Sequence, residues 1–197
     1  METLPLENQT EPQAAPEQEK TDWKHFLLDL LETVGLAVVL FLIINTLSAR
    51  VRVDGFSMLP TLHDGEFVLV NKLAYHTGTP ARGDIIVFQS TTTKNLDLIK
   101  RVIGLPGDHI VIGDGRVSVN GKTLTEPYIA AEPDYSGLWD VPKDTLFVLG
   151  DNRNDSSDSH AWGFLPIKNV VGKALLIYWP PKEWAAVDHI QIVVTAP

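Results

Sequence analysis

From Phe26 to Leu47 the chain is apolar for 22 residues, interrupted only by Asp29 and Glu32 near the start. Thr33 to Ala49 carries no charge, and Asn45 is its most polar member. At about 1.5 Å per residue such a helix reaches roughly 33 Å, against a hydrocarbon core of roughly 30 Å. Asp29 and Glu32 lie three apart on one helical face, close enough to an interface to stay hydrated. A core or amphipathic helix of a soluble protein and a cleaved signal peptide are the competing readings. The late start of the run and its acidic flank argue against a signal peptide. The segment is read as one transmembrane anchor over 23–49. Lys20, Lys24 and His25 precede it and Arg50 and Arg52 follow, so the positive-inside rule gives no orientation.

What flanks the anchor differs sharply from it. Residues 1–22 are rich in Glu, Gln, Pro and Thr, a composition that cannot offset its ordering entropy and predicts a disordered tail. After the anchor come short apolar runs bounded by Gly, Pro and polar residues: Glu66–Asn71, Asp84–Gln89, Leu98–Ile103, His109–Ile112, Arg116–Val119, Leu146–Gly150 and Val171–Trp179. Asn120-Gly121 between alternating residues marks a hairpin, since both positions tolerate positive φ. The pattern predicts an all-β, antiparallel domain, a partly closed sandwich or barrel. Segment 104–144 is richer in turns and reads as a smaller β sub-domain inserted between 50–103 and 145–181. The tail 182–197 contains Ile190–Val194, too short to span a membrane; as a strand or a surface segment it stays open.

A net charge of −9 argues against a nucleic-acid partner. The absence of cysteine removes disulfides, thiol nucleophiles and cysteine–zinc sites. The six histidines show no metal-ligand spacing, so a metal site is not expected.

Three stretches carry chemistry. Asp54-Gly55-Phe56-Ser57-Met58-Leu59-Pro60-Thr61-Leu62 sets a serine in an irregular backbone favoured by Gly55 and Pro60. Most serines in such company only cap turns. The second stretch is Ile99-Lys100-Arg101-Val102-Ile103-Gly104-Leu105-Pro106-Gly107-Asp108, and the third is Gly150-Asp151-Asn152-Arg153-Asn154-Asp155-Ser156-Ser157-Asp158-Ser159-His160. A serine hydroxyl needs a base, and His63, His109 and His160 are candidates from the residues alone. Lys100 lies among Leu98, Ile99, Val102 and Ile103, where burial would lower its pKa; a snorkelling surface lysine is the bland alternative. Arg101, facing the other side of the strand, would meet solvent or an acid. Phe56, Met58 and Leu59 suit either a lipid-facing surface or the core. The third stretch fails the EF-hand template, because Arg153 occupies a ligand position and Ser156 stands where Gly is required.

In this order, and over roughly residues 26 to 180, the three stretches resemble the bacterial type I signal peptidases, membrane-anchored Ser/Lys proteases that remove signal peptides from exported proteins. The resemblance implies Ser57 as nucleophile and Lys100 as its base, with Lys72 the one rival. It implies that Ser156 hydrogen-bonds Lys100, that Asp158 and Arg153 hold the loop by polar contacts, and that the oxyanion is met by backbone N–H groups, chiefly that of Ser57. Some relatives carry a serine in place of Gly55, and many carry Arg in place of His160. The Asp-Ser-His-x-Trp-Gly form is closer to cyanobacterial and plastid members. His160 is expected to pair with an acid only when protonated, so that the loop loosens at mildly alkaline pH. The implied partners are signal-peptide-bearing preproteins and the lipid bilayer, with no metal, cofactor or nucleic acid. The implied place is the cytoplasmic membrane, single-pass, with the N-terminus cytoplasmic and the catalytic domain on the outer face. The alternatives are a non-catalytic membrane-anchored β-domain that binds exported chains, and a related Ser/Lys self-cleaving protein.

Overall fold

A computed structural model describes residues 23–76 and 78–190; the expected tail over 1–22 and most of Ile190–Val194 lie outside them. Helix α1 spans Trp23–Leu47, with every side chain in it exposed. It is apolar on all sides over most of its length, as suits a helix surrounded by lipid, and its length and hydropathy suffice to cross a membrane. Residues 23–42 and those from Ile43 onward belong to separate compact units. The expected anchor ran to Ala49, but Ser48 and Ala49 already pair with Asn71 and Val70 in the first strand. Neither residue has a strong local preference, so the ladder decides.

The second unit is built from antiparallel strands. The larger sheet contains β1 (Ser48–Arg52), β2 (Phe67–Asn71), β3 (Ile85–Gln89), β4 (Asp97–Gly104), β9 (Thr145–Leu149), β10 (Leu165–Pro166), β11 (Val170–Trp179) and β12 (Ala185–Ala186). Its order is β1-β2-β11-β3-β4-β9-β10, and β12 pairs with β11. Register shifts in β11, and between β4 and β9, add local twist and curl the sheet into a half-barrel. The smaller sheet has the order β7-β6-β5-β8, from β5 (His109–Gly113), β6 (Arg116–Val119), β7 (Lys122–Thr123) and β8 (Gly137–Asp140). It is inserted between β4 and β9. The all-β expectation therefore holds, with one apolar helix before it.

Alternation places the cores. On β2, Val68 and Val70 point inward beside Ile85 and Val87 of β3, and Met58 and Leu62 reach the same cluster from the serine stretch. Ile110 and Ile112, with Val117 and Val119, form a second cluster that takes in Phe147 and Leu149 of β9. β4 thus runs through the middle of the large sheet, bonded to β3 on one side and β9 on the other. A side chain on such a strand has little access to water.

Candidate active site

Ser57 enters on a turn closed by Leu59 N–H to Phe56 O (3.1 Å) and Leu62 N–H to Met58 O (2.9 Å). Met58 and Leu62 are its buried anchors, whereas Phe56 is exposed and Leu59 half-buried. Gly55 has φ +94°, a conformation L side chains rarely adopt, and its N–H donates to Asp64 Oδ1 at 2.8 Å. Ser57 N–H has no acceptor among the described residues.

Lys100 comes from the middle of β4 and is 3% exposed. Its Nζ lies 2.7 Å from Ser57 Oγ and donates to Ile99 O at 3.0 Å. Burial pulls its pKa from the ordinary 10.5 down to about 8, against the opposing pull of the Asp158 and Asp151 carboxylates. That drop corresponds to about 3 kcal/mol of disfavour for the charged form. None of the rival bases is hydrogen-bonded to Ser57 among the described residues. Lys72 lines a surface hollow with Tyr75, His76 and Lys168. His63 pairs with Glu66, His109 with Asp140, and His160 with Asp158.

Successive residues on β4 face opposite ways, but Arg101 does not reach solvent. It is fully buried, and its Nε and Nη2 grip both oxygens of Asp151 at 2.8 and 2.7 Å. Thr61 Oγ1 donates to the same carboxylate at 2.5 Å, which ties the serine stretch to the pair. The Arg101 guanidinium also lies over the Tyr128 ring, 4.0 Å from its centre.

The third stretch clasps the serine from the other side. Asn152 N–H donates to Ser57 O at 3.0 Å and its side-chain amide to Phe56 O at 3.1 Å. Both peptide groups of Gly150 are held: its N–H by Asp158 Oδ2 at 2.9 Å and its C=O by Arg153 Nε at 3.1 Å. Its missing side chain matters, because a Cβ there would strike Ser57 O and Ser156 Oγ.

Of the supporting residues, Asp158 and Arg153 make polar contacts within and beside the loop, whereas Ser156 is placed differently from expectation. Ser156 does not hydrogen-bond Lys100; its Oγ is buried without a partner. The lysine already donates to Ser57 and Ile99, and the serine hydroxyl occupies the bare side of Gly150. Asp158 caps the short helix α2 (Ser159–Trp162) and bonds His160 Nδ1 at 2.8 Å. A neutral ring with its proton on Nδ1 can donate in the same way, so this pairing does not require a charged histidine. Arg153 makes a two-pronged contact with Glu126, at 2.8 and 2.7 Å. Nothing in the sequence assigns a part to Glu126, Tyr128, Thr61 or Asp151. Only Asp151 had a visible signal, as an acid inside a chemical motif with an arginine beside the lysine that needed a partner. Among the described residues no group of three or more His, Cys, Asp or Glu side chains is placed to hold a metal ion.

A serine whose hydroxyl meets a buried lysine amine, with no histidine hydrogen-bonded to it among the described residues, points to the class of Ser/Lys peptidases. Comparison with known proteins narrows the class. The family described as "Signal peptidase, peptidase S26" matches residues 27–179. Signal peptidase I of Leptolyngbya laminosa is 46% identical over 182 residues, 87% of this chain and 89% of that protein. A probable signal peptidase I-2 of a Synechocystis species is 45% identical over 160 residues, 78% of this chain and 73% of that one. A crystal structure of a signal peptidase I from Enterococcus faecalis shares 33% identity, covering 48% of this chain and 96% of its own, with a TM-score of 0.45. The chain belongs to the signal peptidase family.

Proposed function

We propose that the chain is a membrane-anchored serine endopeptidase that cleaves N-terminal signal peptides from exported preproteins, with Ser57 as nucleophile and Lys100 as general base. The observation that carries this is the 2.7 Å approach of the Lys100 amine to the Ser57 hydroxyl, in a pocket that draws the amine toward neutrality. A neutral amine has two N–H bonds and one lone pair. With one N–H on Ile99 O, rotation about Cε–Nζ turns the lone pair onto the serine proton.

The steps follow. Lys100 takes the proton as Ser57 Oγ attacks the scissile carbonyl, and the unpartnered Ser57 N–H is available to the oxyanion. The ammonium then returns the proton to the leaving amine. A water deprotonated by the same lysine hydrolyses the acyl-enzyme. The cleavage region binds extended, as an added strand on an exposed sheet edge. Helix α1 keeps the site near the bilayer, where the apolar segment of a signal peptide delivers the bond to be cut. By relation to the family, the membrane is the cytoplasmic one, the N-terminus faces the cytoplasm and the catalytic domain lies outside. Asp158 and Arg153 hold Gly150, and with it the loop beside Ser57, rather than touching reacting atoms.

The test is cleavage of a preprotein by the detergent-solubilised wild type, Ser57→Ala and Lys100→Ala. Cutting after a small-x-small site by the wild type, with both variants folded and inactive, is the expected result. Cleavage that survives Lys100→Ala would overturn the assignment of the base. A wild type that binds the preprotein without cutting it would instead favour a receptor.

A further inference from the structure

The strands β3 and β11 part company near the site. Their ladder ends at Lys173↔Ile86, and from there β11 continues beside β2 while its other edge is left open. Residues after Trp184 fill that edge: β12 pairs Ala186 with Leu176 and Ala185 with Ile177, and Val187 N–H donates to Leu175 O at 2.9 Å. At the parting itself lie two backbone groups, Ile85 N–H and Ala174 C=O. The ring of His189 serves both. Its Nδ1 accepts from Ile85 N–H at 3.2 Å, and its Nε2–H donates to Ala174 O at 2.7 Å. Val187 is buried in the cluster that also holds Met58 and Leu62. The carbonyl next to His189, that of Asp188, accepts from Arg101 Nη1 at 3.3 Å, alongside Gly83 O at 3.0 Å.

We infer that residues 185–190 are a working part of the site, with His189 as the positioning residue: its ring clamps the segment into the parting of β3 and β11, so that the Asp188 carbonyl helps fix Arg101 against Asp151, beside Lys100. The inference rests on Lys100 being the base. Its consequence for catalysis is electrostatic. Asp151 is one of the two carboxylates that favour the protonated form of Lys100, and Arg101 neutralises it. An Arg101 no longer held on that side can shift away from Asp151, whose carboxylate is then less screened and makes Lys100 harder to deprotonate.

The clamp also depends on pH. With Nε2–H committed to Ala174, Nδ1 can accept from Ile85 only while the ring is neutral. The charged groups facing it are Lys173 of β11, Arg101 of β4 and Asp84 at the head of β3. Burial first, then the two cations, hold its pKa below the ordinary 6.5, against the Ala174 bond and Asp84. The clamp is therefore complete above about pH 6.5 and fails as pH falls through the lower folded value.

The experiment is the pH profile of preprotein cleavage by full-length enzyme in detergent. His189→Leu removes both bonds. It should move the midpoint of the acid limb upward by about half a pH unit, which is about a threefold fall in kcat at pH 7 with KM unchanged. His189→Gln supplies an amide oxygen and an amide N–H that do not titrate, and should restore the midpoint. Val117→Ala, buried in the smaller sheet, should lower stability without moving the midpoint. If His189→Leu does not fold, His189→Gln still decides: as pH falls through the lowered folded value of His189, the wild type should lose activity more steeply than tenfold per pH unit, and the glutamine variant should not. An unmoved midpoint in folded His189→Leu, an equal shift in Val117→Ala, or identical acid slopes for wild type and His189→Gln overturns the clamp while Lys100→Ala stays inactive. Cleavage by Lys100→Ala would overturn the base assignment first.

Discussion

Replacing Lys100 by Met should abolish cleavage and, at neutral pH, relieve the protein of a buried charge. The lysine has an ordinary pKa of 10.5 in the unfolded chain and about 8 in the folded one, because burial disfavours its charged form. Between those values the unfolded chain holds the proton and the folded chain does not, so wild-type stability rises with pH across that window. Integrated, the rise is about 3 kcal/mol. Methionine has similar length and no charge, and lacks this dependence. The hydrogen bonds to Ser57 and Ile99 that it forfeits add an offset that does not change with pH, and the titrations of other groups cancel in the difference. Urea unfolding in mild detergent, followed by tryptophan fluorescence from about pH 7 to about pH 11, gives that difference directly. Relative to the wild type, the variant should be most favoured at pH 7 and lose about 3 kcal/mol of that advantage by about pH 11. A difference that stays flat would mean that Lys100 is not desolvated, and the argument for a neutral base would fall with it.

Other outcomes follow from the same geometry. If Lys100 is the base, its neutral fraction grows from about one-eleventh at pH 7 to about ten-elevenths at pH 9, so kcat/KM should rise about tenfold across that range; a midpoint near 6.5 would point to a histidine instead. Asp151→Asn leaves Arg101 buried without its counter-charge and should cost about 3–5 kcal/mol, seen as a large fall in Tm. Gly55→Ser puts a side chain at φ +94°, where space is open but the backbone is strained, and should cost about 1–3 kcal/mol by the same measurement.

Much of the fold was legible because strands advertise themselves locally. The run Glu66–Asn71 became β2, and the Asn120-Gly121 turn follows β6 as predicted, with both residues at positive φ. The elements that escaped were those whose residues carry no periodic signal. Ser48 and Ala49 read as the end of the anchor, Gly137–Asp140 is not set apart within the turn-rich segment 104–144, and Ala185–Ala186 falls in the tail; each is a strand because a neighbour offers an edge. At the site, Lys100 and Ser57 stood out through their motifs, whereas Glu126 and Tyr128 lie in an unremarkable stretch. Only folding brings them to Arg153 and Arg101. His189 was hidden for the same reason, since nothing near it in the chain announces the two backbone groups it serves.

By itself the sequence determined a long apolar helix, an antiparallel β domain after it, and three chemical motifs in order. These depend on periodicity, composition and turn chemistry, which act over a few residues. Tertiary structure alone decided that Lys100 meets Ser57 across 43 positions, that Arg101 is buried against Asp151 across 50, and that the segment after Trp184 closes the open edge of β11. Desolvation and charge pairing depend on what surrounds a group once the sheet has curled around it, and no local pattern in the chain encodes that.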